Sequence, residues 1–343
     1  MTELTIPTDE GRLEDLLSEP TPAVVETMRR LDGDIMVLGV SGKMGPTLAR
    51  MAKRASADAG VRRRVIGVAR FTAGGEEPLW THGIDTIRCD LLDEAAVARL
   101  PDAANVVFMP ARKFGSTGDE ATTWAVNSYL PGVVARKFRE SRIVAFSTGN
   151  VYALTPATGH GPREGDPPQP VGEYAMSCLG RERVFEYFSR TAGTRVALIR
   201  LNYATDLRYG ALVDLARQVL AGEPIDLTMG HFNTIWQGDA NAMALWAFDH
   251  AASPPWIVNV TGPEVLSVRD VCERFGRRFD RPARFTGTET ETALLSDARR
   301  GLELFGPLRV STDRLIDWVA DWVASGGRSL GKPTHFQARD GRF

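Results

Sequence analysis

The amino-acid sequence predicts an α/β protein: a parallel, doubly wound sheet with helices on both faces, followed by a smaller C-terminal α/β domain. From residue 34 onward, short apolar runs that suit buried strands alternate with longer segments of helical periodicity. This alternation is typical of parallel strands joined by crossover helices. After about residue 200 the alternation loosens, as expected where a second domain begins. We therefore expect a helical extension over 1–31, the sheet domain over 32–200, a smaller second domain over 201–330 with segments that return to the first, and a tail over 331–343.

The N-terminal extension is predicted to form two short helices, over 11–18 and 22–31. Thr21 is suited to cap the second helix, and Pro22 to occupy its first position, where the N–H that proline lacks has no intrahelical partner. Asp32-Gly33 then ends the helix. The extension is best interpreted as a packing or dimerisation arm, and a lid over the functional site is the alternative.

The strands and helices of the two domains follow from apolar runs and from helical periodicity. Strands are predicted over 34–38, 65–69, 84–88, 105–109, 142–147, 195–200 and 256–260. Helices are predicted over 46–57, 92–99, 119–139, 174–192, 209–221, within 235–250, from a capping box at Ser267 to about Phe279, and over 312–324. The last of these places Trp318 and Trp322 on one face with Leu315 and Val319, so the tryptophan pair is predicted to be core.

Composition and charge exclude several classes of protein. The chain has 343 residues, 43% hydrophobic and 24% charged, and a formal net charge of −2. Acidic and basic residues are interspersed, so no basic face indicates a nucleic acid or an anionic membrane as a partner. No apolar run has the length of a membrane span, and the N-terminus lacks the features of a signal peptide.

The cysteines and histidines show no metal-ligand spacing. Cys89, Cys178 and Cys272 are far apart, and the five histidines are scattered. Neither a disulfide framework nor a metal site is predicted. The sequence is therefore typical of a reduced, cytoplasmic protein.

A glycine-rich turn follows the first predicted strand and opens the first helix of the sheet domain. Glycines at such a place allow a tight turn and let backbone N–H groups approach a pyrophosphate at a helix N-terminus. The turn predicts a dinucleotide site, and a glycine turn without a ligand is the alternative. Its candidate binding residues are Gly39, Ser41, Gly42, Lys43, Met44 and Gly45.

The residues after the second and third strands bear on the choice of dinucleotide. An acidic residue at the end of the second strand would bind the adenosine ribose and repel a 2′-phosphate. The chain has Arg70 there, and a guanidinium pairs well with phosphate. This favours NADP over NAD, while a solvent-facing arginine is the alternative. Asp90 and Leu91, after the third strand, are suited to the adenine edge.

Hydroxyl groups follow the fifth strand and begin a later helix. Ser147 and Thr148 lie at the predicted carboxyl edge of the sheet, and Tyr174 starts the helix over 174–192. A hydroxyl and a phenol that converge on a nicotinamide can bind a substrate oxygen and move its proton during hydride transfer. Thr148 and Tyr174 are therefore the predicted catalytic residues. Alternatively, Thr148 is a turn cap.

In these features the chain resembles the extended short-chain dehydrogenase/reductase family, from residue 34 to about 323. Gly39, Gly42 and Gly45 match its GxxGxxG motif. Thr148 and Tyr174 match its catalytic Ser/Thr and tyrosine. Further similarities are found at Asn127, Tyr152, Glu182, 237–240 and 297–306, and 65–71 resembles members that use NADP.

The resemblance implies a Rossmann domain with a smaller substrate-binding domain, often in a homodimer. It implies an NAD(P)-dependent epimerase, dehydratase or reductase that acts on a sugar, a sugar acid or a nucleotide sugar. Tyr174 would be the proton-transfer residue. The resemblance also implies cofactor contacts from Pro110, Ala111, Ser147 and the position of Cys178.

One position departs from the family's Tyr-x-x-x-Lys pair, because Cys178 stands where the lysine is expected. In the family the ammonium holds the cofactor ribose and lowers the tyrosine pKa. Without it, Tyr174 should be a poorer base but can still donate a proton. Arg181 is an alternative source of charge, although a surface ion pair is the favoured interpretation. Cys178 itself is interpreted as apolar filler rather than as a nucleophile.

Three further points keep alternatives open. The segment 200–203 fits only loosely the family's R-x-x-N-x-Y-G-P stretch, which helps to hold a nucleotide diphosphate. That loose fit leaves the expectation of a UDP- or dTDP-sugar substrate open. Because Cys178 replaces the lysine, a dinucleotide-binding regulator with little turnover is the second interpretation. The third is a reductase of the dihydrodipicolinate reductase type, whose opening loop resembles 42–45, but this explains neither Thr148 nor Tyr174.

Overall fold

A computed structural model of the chain describes residues 4–72 and 74–342. Its centre is a seven-stranded sheet in which every neighbouring pair is parallel. This confirms the predicted α/β class with a Rossmann-type sheet. From one edge to the other, the strands are Trp256–Val260, Arg195–Leu201, Arg142–Thr148, Asn105–Phe108, Ile35–Leu38, Val65–Ala69 and Asp85–Arg88.

The order of the strands indicates where along the edge of the sheet a ligand can bind. The chain begins at Ile35–Leu38, moves outward through the second and third strands, and then returns to Asn105–Phe108 on the other side of the first strand. Two neighbouring strands that lead to opposite sides leave a crevice between the loops at their carboxyl ends. The glycine-rich turn and the segment after the fourth strand both lie at this crevice.

The helices lie close to the predicted spans, except that Glu77–Trp80 and Arg299–Phe305 were not predicted. They are Gly45–Asp58, Glu77–Trp80, Glu94–Ala98, Glu120–Trp124, Leu130–Lys137, Gly172–Ala192, Ala211–Ala221, Gln237–Trp246, Val268–Phe279, Arg299–Phe305 and Thr312–Ala324, with short 3₁₀ turns at Gly149–Val151 and Ala247–His250. Ser267 accepts a hydrogen bond from the Asp270 N–H at 3.1 Å, as the predicted cap requires. Trp318 and Trp322 are buried, as predicted.

The helix predicted over 119–139 is interrupted by a π-helical turn, Ala125–Tyr129. Pro131 lies four residues after Asn127 and has no N–H to donate to the Asn127 carbonyl. That carbonyl instead accepts a hydrogen bond from Arg181 Nε at 3.3 Å. The proline thus makes a main-chain acceptor available, and π-turns of this kind are frequent at functional sites.

Most of the very short strands lie after residue 200, where the chain forms strand pairs rather than a second large sheet. Thr155–Pro156 lies earlier in the chain and pairs with Thr292–Ala293. Runs of two or three residues carry no periodicity, which is why the sequence did not predict them. They are Thr155–Pro156, Ala204–Thr205, Pro224–Asp226, His231–Phe232, Ile235–Trp236, Leu266–Ser267, Arg284–Thr286 and Thr292–Ala293.

The N-terminal extension forms the helices Glu10–Leu17 and Pro22–Arg30. Thr21 accepts a hydrogen bond from the Val24 N–H at 3.3 Å and caps the second helix, as predicted. Leu13 of the first helix is buried against the C-terminal half of the chain, whereas Met28 of the second is buried against the sheet domain. Within this chain the extension is a packing arm that contacts both the sheet domain and the C-terminal half.

The predicted tail is also packed. Leu330 N–H donates to Arg208 O at 3.0 Å, and Tyr203 Oη donates to Phe336 O at 3.3 Å. Phe336 is 4% exposed and packs with Phe232. Residues 328–336 therefore form an ordered strip against the second half of the molecule, which we call the C-terminal strip.

The three cysteines are free and buried. In the described ranges, no helix combines the length and the apolar character needed to cross a membrane. The same ranges contain no group of three or more His, Cys, Asp or Glu side chains able to hold a metal ion.

Candidate active site

A cleft of about 850 Å³ lies at the carboxyl edge of the sheet. Its walls come from the glycine-rich turn, the segments after the fourth, fifth and sixth strands, the start of the helix Gly172–Ala192, and the C-terminal strip. Among the predicted site residues, those that line it are Gly39, Ser41, Gly42, Lys43, Met44, Ala111, Ser147, Thr148 and Tyr174.

The glycine-rich turn leaves little room for a side chain at Gly39 or Gly45. Gly39 has φ +80°, and a Cβ atom there would lie 3.1 Å from Pro110 N. A Cβ atom on Gly45 would lie 2.7 Å from the Val40 carbonyl carbon. The helix that begins at Gly45 has no side-chain cap. This arrangement fits the pyrophosphate of a dinucleotide, which Gly39, Gly42 and the helix N-terminus would hold.

Thr148 ends the fifth strand and lines the cleft. Its Oγ1 accepts a hydrogen bond from the Asn150 N–H at 3.1 Å, so the residue also caps the 3₁₀ turn that follows. A hydrogen bond to the same side chain lowers the pKa of Tyr174. Thr148 therefore caps the turn and lines the cleft at the same time, so the two interpretations of this residue are compatible.

Tyr174 lies in the first turn of its helix and is 8% exposed at the cleft wall. Burial raises the pKa of its phenol well above the ordinary value, and the neighbouring Cys178 raises it further. The charge of Arg181 and the hydrogen bond to Thr148 act in the opposite direction but are smaller. The phenol of the ligand-free protein is therefore neutral at physiological pH and is a proton donor.

Cys178 is fully buried one helical turn beyond Tyr174 and does not line the cleft. Its thiol packs with Val151, Tyr152 and Tyr174, and burial raises its pKa. A buried neutral thiol is a poor nucleophile. The side chain therefore occupies the position as a small apolar group beside the phenol.

The interpretation of Arg181 as a surface ion pair was wrong. The guanidinium is buried, and it donates to Phe146 O at 2.6 Å and to Asn127 Oδ1 at 3.0 Å. A charged side chain on a long helix is usually solvated, but here the helix is covered by the π-turn that carries Asn127. The buried cation lowers the pKa values of both Tyr174 and Cys178.

A second buried network supports the floor of the cleft. Ser147 Oγ donates to Glu182 Oε1 at 2.6 Å, and Glu182 pairs with Arg200 at 2.7 Å. Arg200 also donates to Tyr152 Oη at 2.7 Å, and that hydroxyl donates to Asn259 Oδ1 at 2.9 Å. The network joins the fifth, sixth and seventh strands, so it holds in place the strand end that carries Thr148.

Several lysine and arginine side chains line the cleft, and most of them were not among the site residues predicted from the sequence. Lys43 lies over the Tyr209 ring at 3.2 Å from its centre, and burial together with Lys332 and Lys113 lowers its pKa to about 7. Arg208 and Arg328 also line the cleft. These two are paired with carboxylates of the first helix, at 2.6 Å from Glu14 and 3.1 Å from Glu10 respectively.

Five predicted cofactor residues lie outside the cleft lining, as does Cys178. Pro110 packs against Gly39, and Gly45 is buried behind the turn. Arg70 is exposed at the carboxyl end of the second strand, and Asp90 is exposed after the third. Leu91 is buried beside Asp90. Arg70 and Asp90 thus flank the same edge of the sheet as the glycine-rich turn, farther from Tyr174.

Solved structures that resemble the chain share its fold at low sequence identity. An epimerase from Methanothermobacter thermautotrophicus is 16% identical, with a TM-score of 0.73 over 90% of this chain and 97% of that one. UDP-glucuronic acid 4-epimerase from Bacillus cereus, in complex with NAD, is 16% identical, with a TM-score of 0.68 over 85% and 99%. UDP-glucose 4-epimerase from Thermotoga maritima, with UDP-glucose, is 17% identical, with a TM-score of 0.68 over 85% and 99%.

No curated protein sequence matches the chain significantly. The model of the NAD dependent epimerase/dehydratase family, in contrast, matches residues 35–230, which is more than half of the chain and includes the glycine-rich turn, Thr148 and Tyr174. The expected family is therefore confirmed: the chain belongs to the NAD-dependent epimerase/dehydratase family and is an enzyme of that type.

Proposed function

We propose that the protein is an NAD(P)-dependent epimerase, dehydratase or reductase in which Tyr174 transfers the proton and Thr148 orients the reacting oxygen of a sugar derivative. The observation that carries this proposal is the position of the Tyr174 phenol. It lies at the wall of the cleft, hydrogen bonded to Thr148, and the glycine-rich turn forms part of the same cleft.

The chemistry divides between the cofactor and the chain. When bound, the nicotinamide supplies hydride transfer to or from a carbon atom. Thr148 Oγ1 would hold the oxygen on that carbon, and Tyr174 Oη would hold or move its proton. Because the raised pKa keeps the Tyr174 phenol neutral, proton donation to a substrate carbonyl oxygen is the favoured direction.

The charges at the cleft opening suit a substrate with an anionic group. Burial is the first cause of the lowered pKa of Lys43, and repulsion from Lys332 and Lys113 is the next, so a bound anion would relieve unfavourable interactions there. A carboxylate or a phosphate on the sugar would satisfy this requirement. The Bacillus cereus enzyme with the same fold was solved with UDP-glucuronic acid and NAD, and we propose a substrate of comparable charge.

Lys332 provides a test of the substrate's charge. Lys332→Gln is expected to raise the KM of an acidic sugar substrate about threefold to fivefold, as for an exposed ion pair, and to leave kcat nearly unchanged. The increase should diminish at high salt, because salt screens the interaction in the unsubstituted enzyme. Steady-state kinetics at two ionic strengths measure both effects. Lys53→Gln, a matched substitution outside the cleft lining, is the control.

Measuring the affinity for the cofactor shows whether Lys332 contacts a cofactor phosphate or an anionic group of the substrate. If Lys332→Gln weakens cofactor binding by the same factor as it raises KM, the lysine contacts a cofactor phosphate, and the proposal of an anionic substrate loses its support. An unchanged dissociation constant for the cofactor, together with the raised KM, agrees with the proposal.

We also propose that the enzyme prefers NADP. Arg70 is exposed at the end of the second strand, where it can meet a 2′-phosphate without displacing a carboxylate partner. Arg70→Ala is expected to weaken NADP binding about tenfold and to change NAD binding less than twofold, since only NADP carries the phosphate. Fluorescence titration of both cofactors measures the difference. Arg62→Ala removes another exposed arginine, before the opposite end of that strand, and should affect neither cofactor. Equal losses for NAD and NADP in the Arg70 variant would contradict the preference.

A further inference from the structure

Lys113 lies in the loop after the fourth strand, yet its ammonium group reaches Tyr174. The Nζ atom is 5.9 Å from the centre of the Tyr174 ring and donates a hydrogen bond to Thr334 O at 3.3 Å. Burial raises the pKa of the Cys178 thiol, and the charge of Lys113 is among the interactions that lower it. The ammonium therefore lies near both Tyr174 and the cysteine that replaces the family's lysine.

The loop that carries Lys113 is tied to the helix that carries Tyr174. The main-chain N–H of Arg112 donates to Asn127 Oδ1 at 2.9 Å, and Arg112 O accepts from Asn127 Nδ2 at 3.0 Å. Asn127 Nδ2 also donates to Ser177 Oγ at 3.0 Å, and that hydroxyl donates to Tyr174 O at 2.9 Å. This chain of hydrogen bonds fixes the peptide before Lys113 relative to the tyrosine.

The environment of Lys113 makes its charge sensitive to pH just above neutrality. Burial lowers its pKa to about 8, and the nearby Cys178 and Asp214 oppose the shift. Lys43 is the neighbouring cation, since Lys113 contributes to its lowered pKa. At pH 7 the Lys113 side chain is thus mostly protonated, and its neighbours include Tyr174, Cys178, Asp214 and Lys43.

We propose that Lys113 supplies, from the loop after the fourth strand, the positive charge beside Tyr174 that the lysine of the Tyr-x-x-x-Lys pair supplies in the family. This inference rests on the proposed function, because it gives Lys113 a task in proton transfer by Tyr174. A cation near the ring stabilises the ionised phenol, so proton release to the substrate oxygen becomes easier. A small residue at position 178 then leaves space beside the phenol for an ammonium that arrives from the loop.

Replacing the ammonium tests the role directly. Lys113→Met should lower kcat at saturating cofactor about hundredfold at pH 7, within the range for loss of acid–base assistance. Lys113→Arg should retain most of the activity and shift the alkaline limb of the kcat profile from about pH 8 to higher pH, because the guanidinium stays protonated. Lys137→Met, in which a lysine paired with Asp102 at the surface is lost, is the matched control and should leave the profile unchanged. Unchanged kcat and pH profile in Lys113→Met would overturn the proposal, as would an unshifted alkaline limb in Lys113→Arg.

The effect of Cys178→Lys on activity should depend on whether Lys113 is present. Cys178→Lys alone should reduce activity, because two ammonium groups would then compete for one position beside Tyr174. In the Lys113→Met background the same substitution should restore activity at least tenfold, since the charge returns from the family's own position. Restoration in both backgrounds, or in neither, would count against an exchange of roles between the two positions.

The charge of Lys113 can also be tested without substrate, by measuring how the stability of the protein depends on pH. The pKa of Lys113 is lower in the folded protein than in the unfolded chain, so its charged form costs stability below about pH 8, and this cost disappears as pH rises. Lys113→Met should therefore raise the unfolding temperature at pH 7, and the gain should shrink towards pH 10. A gain that does not depend on pH would show that no desolvated ammonium is present, and would refute the inference.

Failure of the inference and failure of the proposed function have different signatures. If Tyr174→Phe is inactive while Lys113→Met behaves like the unsubstituted enzyme, tyrosine chemistry stands and only the role of Lys113 is lost. If Tyr174→Phe is fully active, the proposed function fails, whatever the result for Lys113.

Discussion

Tyr174→Phe is expected to lower kcat about a thousandfold while changing the dissociation constant of the cofactor less than threefold. The variant removes one oxygen atom from a ring that is already buried, so the packing around Val151 and Cys178 is retained. What is lost is the proton donor and its hydrogen bond with Thr148. A thousandfold loss corresponds to about 4 kcal/mol of transition-state stabilisation, within the range for a general acid or base. Single-turnover kinetics and fluorescence titration measure the two quantities.

The control for this experiment lies on the same helix. Tyr187 is 62% exposed and outside the cleft lining, and Tyr187→Phe should retain full activity. If Tyr174→Phe retained activity, proton transfer would have to be assigned to another group. If both the variant and the unsubstituted protein bound the cofactor without measurable turnover on any sugar substrate, the second interpretation from the sequence, a dinucleotide-binding regulator, would be favoured.

Gly45→Ala is expected to abolish cofactor binding at micromolar concentrations. The new Cβ atom would lie 2.7 Å from the Val40 carbonyl carbon and 2.8 Å from Val40 Cα, so main-chain atoms of the glycine-rich turn would have to move. Overpacking of this kind costs about 1–3 kcal/mol of stability, and the turn it distorts is the one proposed to hold the pyrophosphate. Isothermal titration and thermal unfolding measure the two effects separately.

A matched glycine distinguishes loss of the site from general damage. Gly165 is exposed, and a Cβ atom there would meet nothing within 4 Å. Gly165→Ala should therefore leave cofactor affinity and unfolding temperature unchanged. If Gly45→Ala bound cofactor as tightly as the Gly165 variant, the glycine-rich turn would not be the pyrophosphate site.

The sequence predicted the residues whose place follows from a strand end. Thr148 comes directly after a buried strand, and the glycine-rich turn joins a strand to a helix, so a parallel sheet alone brings them to one edge. Tyr174 was predicted from its position at the start of the next helix. The order of these segments also led to the correct fold class and family.

The remaining site residues depend on contacts between distant segments. Lys113 lies in an irregular stretch without periodicity, and nothing local shows that its side chain turns towards Tyr174. Arg181 was misinterpreted because burial of a cation requires specific acceptors, here Asn127 and Phe146 O. A signal was nevertheless present at Pro131, since a proline within a helical pattern releases the carbonyl four residues earlier.

The C-terminal strip lies outside the part of the chain that the family model matches. The family model matches only residues 35–230, whereas Lys332 and Thr334 belong to the far side of the cleft. Lys113 and Thr334, joined by one hydrogen bond, are 221 residues apart in the chain. If Lys332 contacts the substrate, as we propose, sequence change in the strip would alter the ligand without touching the glycine-rich turn, Thr148 or Tyr174. Two chains with equally good family matches can thus differ in substrate, and the strip is the segment to compare when relatives are sorted by specificity.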